Sequence, residues 1–400
     1  MRHLKYMLLL FVALLTSACR DEAPELMNPN ERQLLNTPSQ VFESFWHGMN
    51  NSYVFWDVDP TDWDKVYDDY LPRFRELDKL ETVKTETLQE LYDEICKNLV
   101  DHHYALQIYN PQASPEEVEE GDVWTWTYPG ADEVRARDYY HEPFYRKDLL
   151  SCIGKYESEG RISDFVMGEN EAMYACSYNI DDGIIYLRLS AFMIYEAKRD
   201  DPNDTVLNAV DNYLRLVMET PEIKGVILDV RGNGGGYLND SKYTLRPLID
   251  KELLINYTRT KEGLGRFDYG PWVPSILAPA EEHRKVEAPI VVLADVNSVS
   301  MSEATAMAVS SFPNGCVVGE RTFGGQGTLT GNYKLFYCGQ IENYAVDIYT
   351  TTVVTKDVKG VIHEGVGIVP DIEVFYDEEA MKAGRDVQLD RAVQYIHTGE

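Results

Sequence analysis

Basic residues are scarce in this chain. Among 400 residues, 37 lysines and arginines face 67 aspartates and glutamates, a formal net charge of −30 at pH 7. A protein that grips nucleic acid needs a basic surface to neutralise phosphates, so that class of partner is excluded. Cysteine is sparse too. With Cys19 set aside for the reason given below, Cys96, Cys152, Cys176, Cys316 and Cys338 remain, an odd number at irregular spacing. Such a set forms neither a disulfide framework nor a zinc signature. Cys316 and Cys338 could pair if their strands are neighbours; buried free thiols are the state we expect. Membrane-spanning runs are missing as well, because the apolar stretch Met7 to Leu15 is shorter than the ~20 residues a crossing helix needs.

What the N-terminus does contain is a basic start, Arg2 and Lys5, ahead of that short apolar stretch. This is the pattern of a targeting segment, and residues 1–18 are excluded from fold reasoning. The run Leu15-Thr-Ser-Ala-Cys19 resembles a bacterial lipobox. The resemblance implies cleavage before Cys19 and lipid attachment at its sulfur; an ordinary signal peptide carrying a cysteine is the alternative. Arg20 is not the aspartate associated with inner-membrane retention, so the expected location is the outer membrane of a bacterial cell envelope, periplasmic or surface-facing. Residues 19–37 are polar, contain Pro24 and Pro29, and read as a tether.

From Ser39 the pattern turns helical, with Val41, Phe42, Phe45, Trp46 and Met49 at helical spacing. Trp63, Val66, Tyr67 and Tyr70 suggest a second helix. Thr87 and Glu90 are spaced as a capping box for a third, whose apolar face is Leu88, Leu91, Tyr92, Ile95 and Leu99. Residues 38–110 are therefore expected to form a helical subdomain. Residues 111–180 show an acidic patch and the aromatic cluster Trp124-Thr-Trp-Thr-Tyr128 but no repeat, and read as a variable insert. Beyond them strand and helix alternate: Ile184 to Leu189, a helix face of Val206, Val210, Tyr213, Leu214 and Val217, then Val226 to Val230. That alternation predicts an α/β core over 181–400. Tyr333 to Tyr337 and Tyr344 to Val354 alternate like strands without helices between them.

Two segments of this core carry chemistry. The apolar run Gly225 to Val230 leads into Asp229-Val-Arg-Gly-Asn-Gly-Gly-Gly236, where glycines let the chain turn sharply and aim N–H groups outward. The run Pro289 to Ala294 leads into Asn297-Ser-Val-Ser-Met-Ser-Glu303 and a helix-like stretch from Met301 to Phe312. Ser300 at the head of that helix is a candidate nucleophile, near unpaired N–H groups that favour developing negative charge. It also fits a plain capping box with Glu303, and Ser298 and Ser302 compete for the role. Gly235, Gly236 and the N–H of Met301 are candidate oxyanion donors. A serine needs a base. Candidates lie in Asp101-His102-His103 after the third helix and in His363-Glu364 near the C-terminus, with Glu364 available to tune the base.

These segments resemble the serine peptidase family that includes tail-specific (C-terminal processing) proteases and the catalytic domain of tricorn protease. Asp229 to Gly236 is similar to its glycine signature, and Asn297 to Glu303 to its nucleophile segment. Val318-Gly-Glu-Arg-Thr-Phe-Gly324, Glu364-Gly-Val-Gly-Ile-Val-Pro-Asp371, Phe55-Trp-Asp57 and Leu99 to His103 supply further ordered matches. The resemblance implies a ClpP/crotonase-like α/β spiral core with an N-terminal helical subdomain. It also implies a serine-type endopeptidase with Ser300 as nucleophile, acting on an extended polypeptide lying near Val318 to Thr322, without metal or cofactor. Tail-specific members carry a catalytic lysine where this chain has Gly325. The tricorn-like branch uses histidine instead, which implies His103 as base and Glu364 as its acid, while His102 leaves the helper-serine role unassigned. Many members carry a PDZ domain, and residues 111–180 are short for one. The missing lysine motivates a second expectation, a catalytically silent peptide- or ligand-binding protein on the same scaffold. An acyl-CoA enzyme of crotonase type is disfavoured by the export signal. The sequence leaves the substrate and the oligomeric state open.

Overall fold

The structure is a computed structural model that describes residues 34–129, 146–330 and 337–400. The targeting segment, Cys19, the tether up to residue 33 and most of the strand expected at Tyr333 to Tyr337 lie outside the described residues. Three helices open the fold: α1 (Pro38–Ser52), α2 (Trp63–Leu77) and α3 (Thr85–Cys96). They close on aromatic side chains, with Phe42 stacked on Phe74 at 4.6 Å and Phe45 edge-on to Tyr92 at 5.2 Å. Such rings bury much apolar area each, which lets a small helical unit hold a core. Helix α3 starts at Thr85, so Thr87 and Glu90 lie inside it; the expected capping box is not its N-terminus.

The core is a seven-stranded sheet. In chain order its strands are β1 (Ile162–Glu169), β2 (Tyr174–Ile180), β3 (Ile184–Leu189), β4 (Gly225–Asp229), β5 (Ile290–Ala294), β6 (Gly315–Gly319) and β7 (Ile372–Glu373), and they stand side by side in that order. Strands β3 to β7 run parallel, while β1 and β2 form an antiparallel edge. Every residue of β3, β4 and β5 is buried, as expected for parallel strands covered on both faces. Helix α4 (Thr205–Glu219) packs on one face through Val206, Val210, Tyr213 and Val217, and α5 (Met301–Ser310) joins the same core. Helix α6 (Val387–Thr398) covers the other through Leu389, Val393 and Ile396.

Two boundaries differ from expectation. Residues 162–180 are no insert: they are β1 and β2, integral to the large sheet. A register shift between Ser163 and Val166, with Asp164 at φ 56°, breaks the alternation that would have revealed β1. Second, the late chain returns to the front subdomain. Val346–Tyr349 pairs antiparallel with Ala105–Tyr109, and Ile341, Val346, Ile348 and Val354 share the aromatic core of the front helices. The front subdomain is therefore built from both ends of the chain. The five described cysteines are free and buried, and Cys316 and Cys338 sit in different cores, so they do not pair. Among the described residues no helix is long and apolar enough to cross a membrane.

Candidate active site

Adjacent parallel strands bring their carboxyl ends together, and the two chemical segments leave the sheet there side by side, from β4 and β5. In open α/β sheets this edge is where ligands are bound. The turn after β4 is held from below by charge. Arg231, 1% exposed, donates to Asp229 (2.6 and 3.0 Å), to Asp386 (2.7 and 2.9 Å) and to Gln388 Oε1 (2.9 Å). Arg188 and the Tyr186 hydroxyl also donate to Asp229, at 2.9 and 2.6 Å. Burial alone would raise the Asp229 carboxyl, but the Arg231 and Arg188 guanidiniums outweigh it and hold it at about 2. Asp386 in turn caps α6 through the Leu389 N–H, so the glycine turn is tied to the last helix.

Asn233 staples the turn to the serine segment. Its carbonyl accepts the Val299 N–H (3.0 Å) and the Ser302 hydroxyl (2.7 Å), and its side chain bridges the Leu189 carbonyl and the Gly235 N–H, each at 2.8 Å. That last bond corrects one expectation: the Gly235 amide is engaged by Asn233 Oδ1 and is not an oxyanion donor. Gly235 acts instead as a spacer. With φ at 101°, a Cβ there would stand 2.7 Å from Ser300 Cβ and 3.0 Å from the Met301 nitrogen. Gly236 behaves differently. A parallel bridge joins it to Phe192 through the amides of Phe192 and Tyr237, which turns the amide of Gly236, an exposed residue, to the other side.

Ser300 stands at φ 58°, ψ −113°, a conformation costly for a residue with a side chain and typical of functional turns. Its amide donates to the Gly325 carbonyl at 2.8 Å and to Glu303 Oε2 at 3.2 Å. The rival serines are tied down: Ser298 donates to the Val230 carbonyl at 2.8 Å, Ser302 to that of Asn233, and both are fully buried. Glu303 also accepts the Thr322 hydroxyl and the amides of Gly324 and Gly325, at 2.6, 2.7 and 2.7 Å. Burial pushes its carboxyl up to about 7 against those four donated bonds. Glu303 thus shapes the loop that passes over Ser300, beyond any capping role.

The front subdomain reaches the same loop. The His103 ring carbon Cε1 lies 3.5 Å from the place a Gly325 Cβ would occupy, so glycine at this position leaves room for an imidazole. Glu364 is buried and accepts the amides of His102, Gln326 and Gly327, at 3.1, 2.8 and 2.7 Å. One polar atom each of Asp101, His103 and Glu364 lies within 4.8 Å of the others. Burial first, then repulsion from Asp101 and Glu303, pushes the Glu364 carboxyl well above the usual range. His363 points elsewhere, with Nε2 bonded to Asp357 at 3.0 Å, and the His102 ring packs edge-on to Phe323 at 5.5 Å. In the stretch expected to lie near a polypeptide, Val318 to Thr322, Val318 and Gly319 are hydrogen-bonded to β5 and β7 on their two sides, and the residues after Gly319 lie beyond the paired strand. Asn233 was not singled out in the sequence, Glu303 was read only as a capping partner of Ser300, and Asp101 only as the start of the run that holds His103. An asparagine inside a glycine run and an acid two residues before a histidine were the available signals.

A parallel sheet covered on both faces, with a strained serine heading a helix beside a glycine turn and a helical subdomain in front, defines a class of α/β fold used by serine peptidases. Residues 183–374, a little under half of the chain, match the model of peptidase family S41. The chain is 28% identical over 216 residues to the carboxy-terminal-processing protease of Bartonella bacilliformis, covering 54% of this chain and 44% of that one. It is 30% identical over 149 residues to the carboxy-terminal processing protease CtpA of Bacillus subtilis, covering 37% and 27%. The chain therefore spans less than half the length of these relatives. Among solved structures, a candidate peptidase from Parabacteroides merdae aligns with TM-score 0.64 and 23% identity, over 92% of this chain and 98% of that one. Mature CPAF complexed with lactacystin aligns with TM-score 0.59 and 12% identity, over 91% and 99%. At these identities the likenesses show a shared fold.

Proposed function

We propose that this protein is a serine endopeptidase that cleaves extended polypeptides through an acyl-enzyme at Ser300. The Ser300 hydroxyl oxygen attacks the scissile carbonyl while His103 takes its proton. The carbonyl oxygen, now negative, is met by the amides of Gly236 and Met301. The C–N bond then breaks, and the proton on His103 passes to the leaving amine. Water attacks the resulting ester by the same route, with His103 again as base, and releases a carboxylic acid and free Ser300. Glu364 assists by fixing the loop opposite His103 through the Gln326 and Gly327 amides. The reaction needs no metal or cofactor. The lipobox-like run ending at Cys19 supports attachment to the outer membrane, which incorporation of labelled palmitate, lost in Cys19→Ala, would test.

The observation that carries this reading is the packing of Gly235 against Ser300, which leaves the nucleophile's Cβ and the Met301 nitrogen 2.7 and 3.0 Å from the site of a missing side chain. A fluorophosphonate probe tests it. Labelling of the wild-type protein, abolished in Ser300→Ala, is the expected result. A folded wild-type protein that takes no label contradicts the reading and favours a binding role on the same scaffold.

A further inference from the structure

Asp101 takes no part in the steps above, yet it is 0% exposed and stands two residues before the base. A buried carboxylate is tolerated only when donors surround it. Here Oδ1 accepts the His103 N–H at 2.9 Å and the Thr351 hydroxyl at 3.0 Å, while Oδ2 accepts the Thr350 hydroxyl at 2.6 Å and the Thr351 N–H at 2.8 Å. Four converging donors suit a carboxylate rather than a neutral acid. They come from both parts of the front subdomain, so one side chain ties the end of α3 to the returning strand region. Thr351 also packs on Gly327, where a Cβ would stand 2.4 Å from its Cγ2, and the Gly327 amide holds Glu364. Asp101 is therefore linked through Thr351 to the loop that holds Glu364, and directly to the main chain of the residue proposed as base.

His103 gains a positive charge when it takes the serine proton, and the source of the compensating negative charge decides how readily that happens. Glu364 is poorly suited, because burial and its acidic neighbours favour its protonated form. Other titratable groups facing this place are Glu303, His102, Tyr104, Asp59 and Tyr53, whose hydroxyl accepts the Asp101 N–H at 3.2 Å and donates to Asp59 at 2.7 Å. Of these, Glu303 also accepts four bonds but is taken up by the loop over Ser300, whereas Asp101 Oδ1 holds the main-chain N–H of His103 itself.

We propose that Asp101 is a positioning residue for His103: it fixes the main chain that carries the ring and supplies the charge that stabilises the imidazolium. The proposal rests on the reading of Ser300 as nucleophile and His103 as base. The test follows fluorophosphonate labelling against pH for wild type, Asp101→Asn and Ser300→Ala, separating maximal labelling rate from probe affinity. Asp101→Asn that melts cooperatively should label roughly ten- to a hundredfold more slowly at saturating probe, with unchanged affinity. Its acid limb should also move to lower pH, because an imidazolium without its partner gives up its proton more easily. A purely structural role would reduce the folded fraction and leave the limb in place. Wild-type rate, or a slowed rate with an unmoved limb, overturns the proposal. Should Asp101→Asn not fold, Thr350→Val takes one donor from Oδ2; a severalfold slower maximal rate at equal affinity is expected, and an unchanged rate overturns the proposal. Wild-type protein that does not label, or Ser300→Ala that still does, defeats the underlying reading instead.

Discussion

At Gly235 the backbone runs at φ 101° and the nearest would-be contact of a Cβ is the Ser300 Cβ at 2.7 Å. Gly235→Ala therefore meets two obstacles at once, a strained dihedral and an overlap with Ser300. It should destabilise the protein by about 1–3 kcal/mol, read by denaturant unfolding, and should nearly abolish fluorophosphonate labelling even of the folded fraction. Glu303 gives a pH signature. Its folded value of about 7 exceeds the ordinary 4.5, so the folded protein holds a proton that the unfolded chain releases between those values. That contribution to stability is whole below pH 4.5 and is lost as pH rises through 7. The stability of wild type relative to Glu303→Gln should accordingly fall across that window; a difference independent of pH would contradict the assignment.

The glycine turn is an element whose shape depends on ions beneath it. Arg231 joins Asp229 at the end of β4 to Asp386 at the head of α6, all buried. Arg231→Met leaves two carboxylates in the interior without their shared partner, which should cost about 3–5 kcal/mol by equilibrium unfolding. Loss of labelling should accompany it, because the turn then loses its anchor. Elements of this part of the chain were legible in the sequence for a physical reason. Strands β3 to β5 are buried on both faces and so are written as continuous apolar runs, and the glycines and Ser300 that follow β4 and β5 mark local turns. Strand β1 was not legible, since its bulge and exposed edge position erase alternation. The capping pair Thr87 and Glu90 misled because spacing alone does not fix where a helix begins.

Over the whole molecule the groups proposed to react, His103 and Ser300, come from widely separated parts of the chain. Ser300 and the amides proposed for the oxyanion follow two strands of the large sheet, whereas His103 belongs to a front subdomain that is completed by residues 341–354. Pairing between Ala105–Tyr109 and Val346–Tyr349 leaves no local trace in the sequence, and neither do the bonds from Thr350 and Thr351 to Asp101. The residues alone left the histidines at 102, 103 and 363 open, and the family pattern chose His103 with Glu364; the residues that fix them were invisible to it. Gly325 is where the two parts meet, with its carbonyl on the Ser300 amide and its Cα hydrogens facing His103. The most direct test of this arrangement is the labelling rate of His103→Ala by a fluorophosphonate, with His363→Ala as control. A fall of about a hundredfold to ten-thousandfold in His103→Ala, with folding intact and the control unchanged, is the expected outcome. Wild-type labelling in folded His103→Ala would show that the front subdomain does not supply the base.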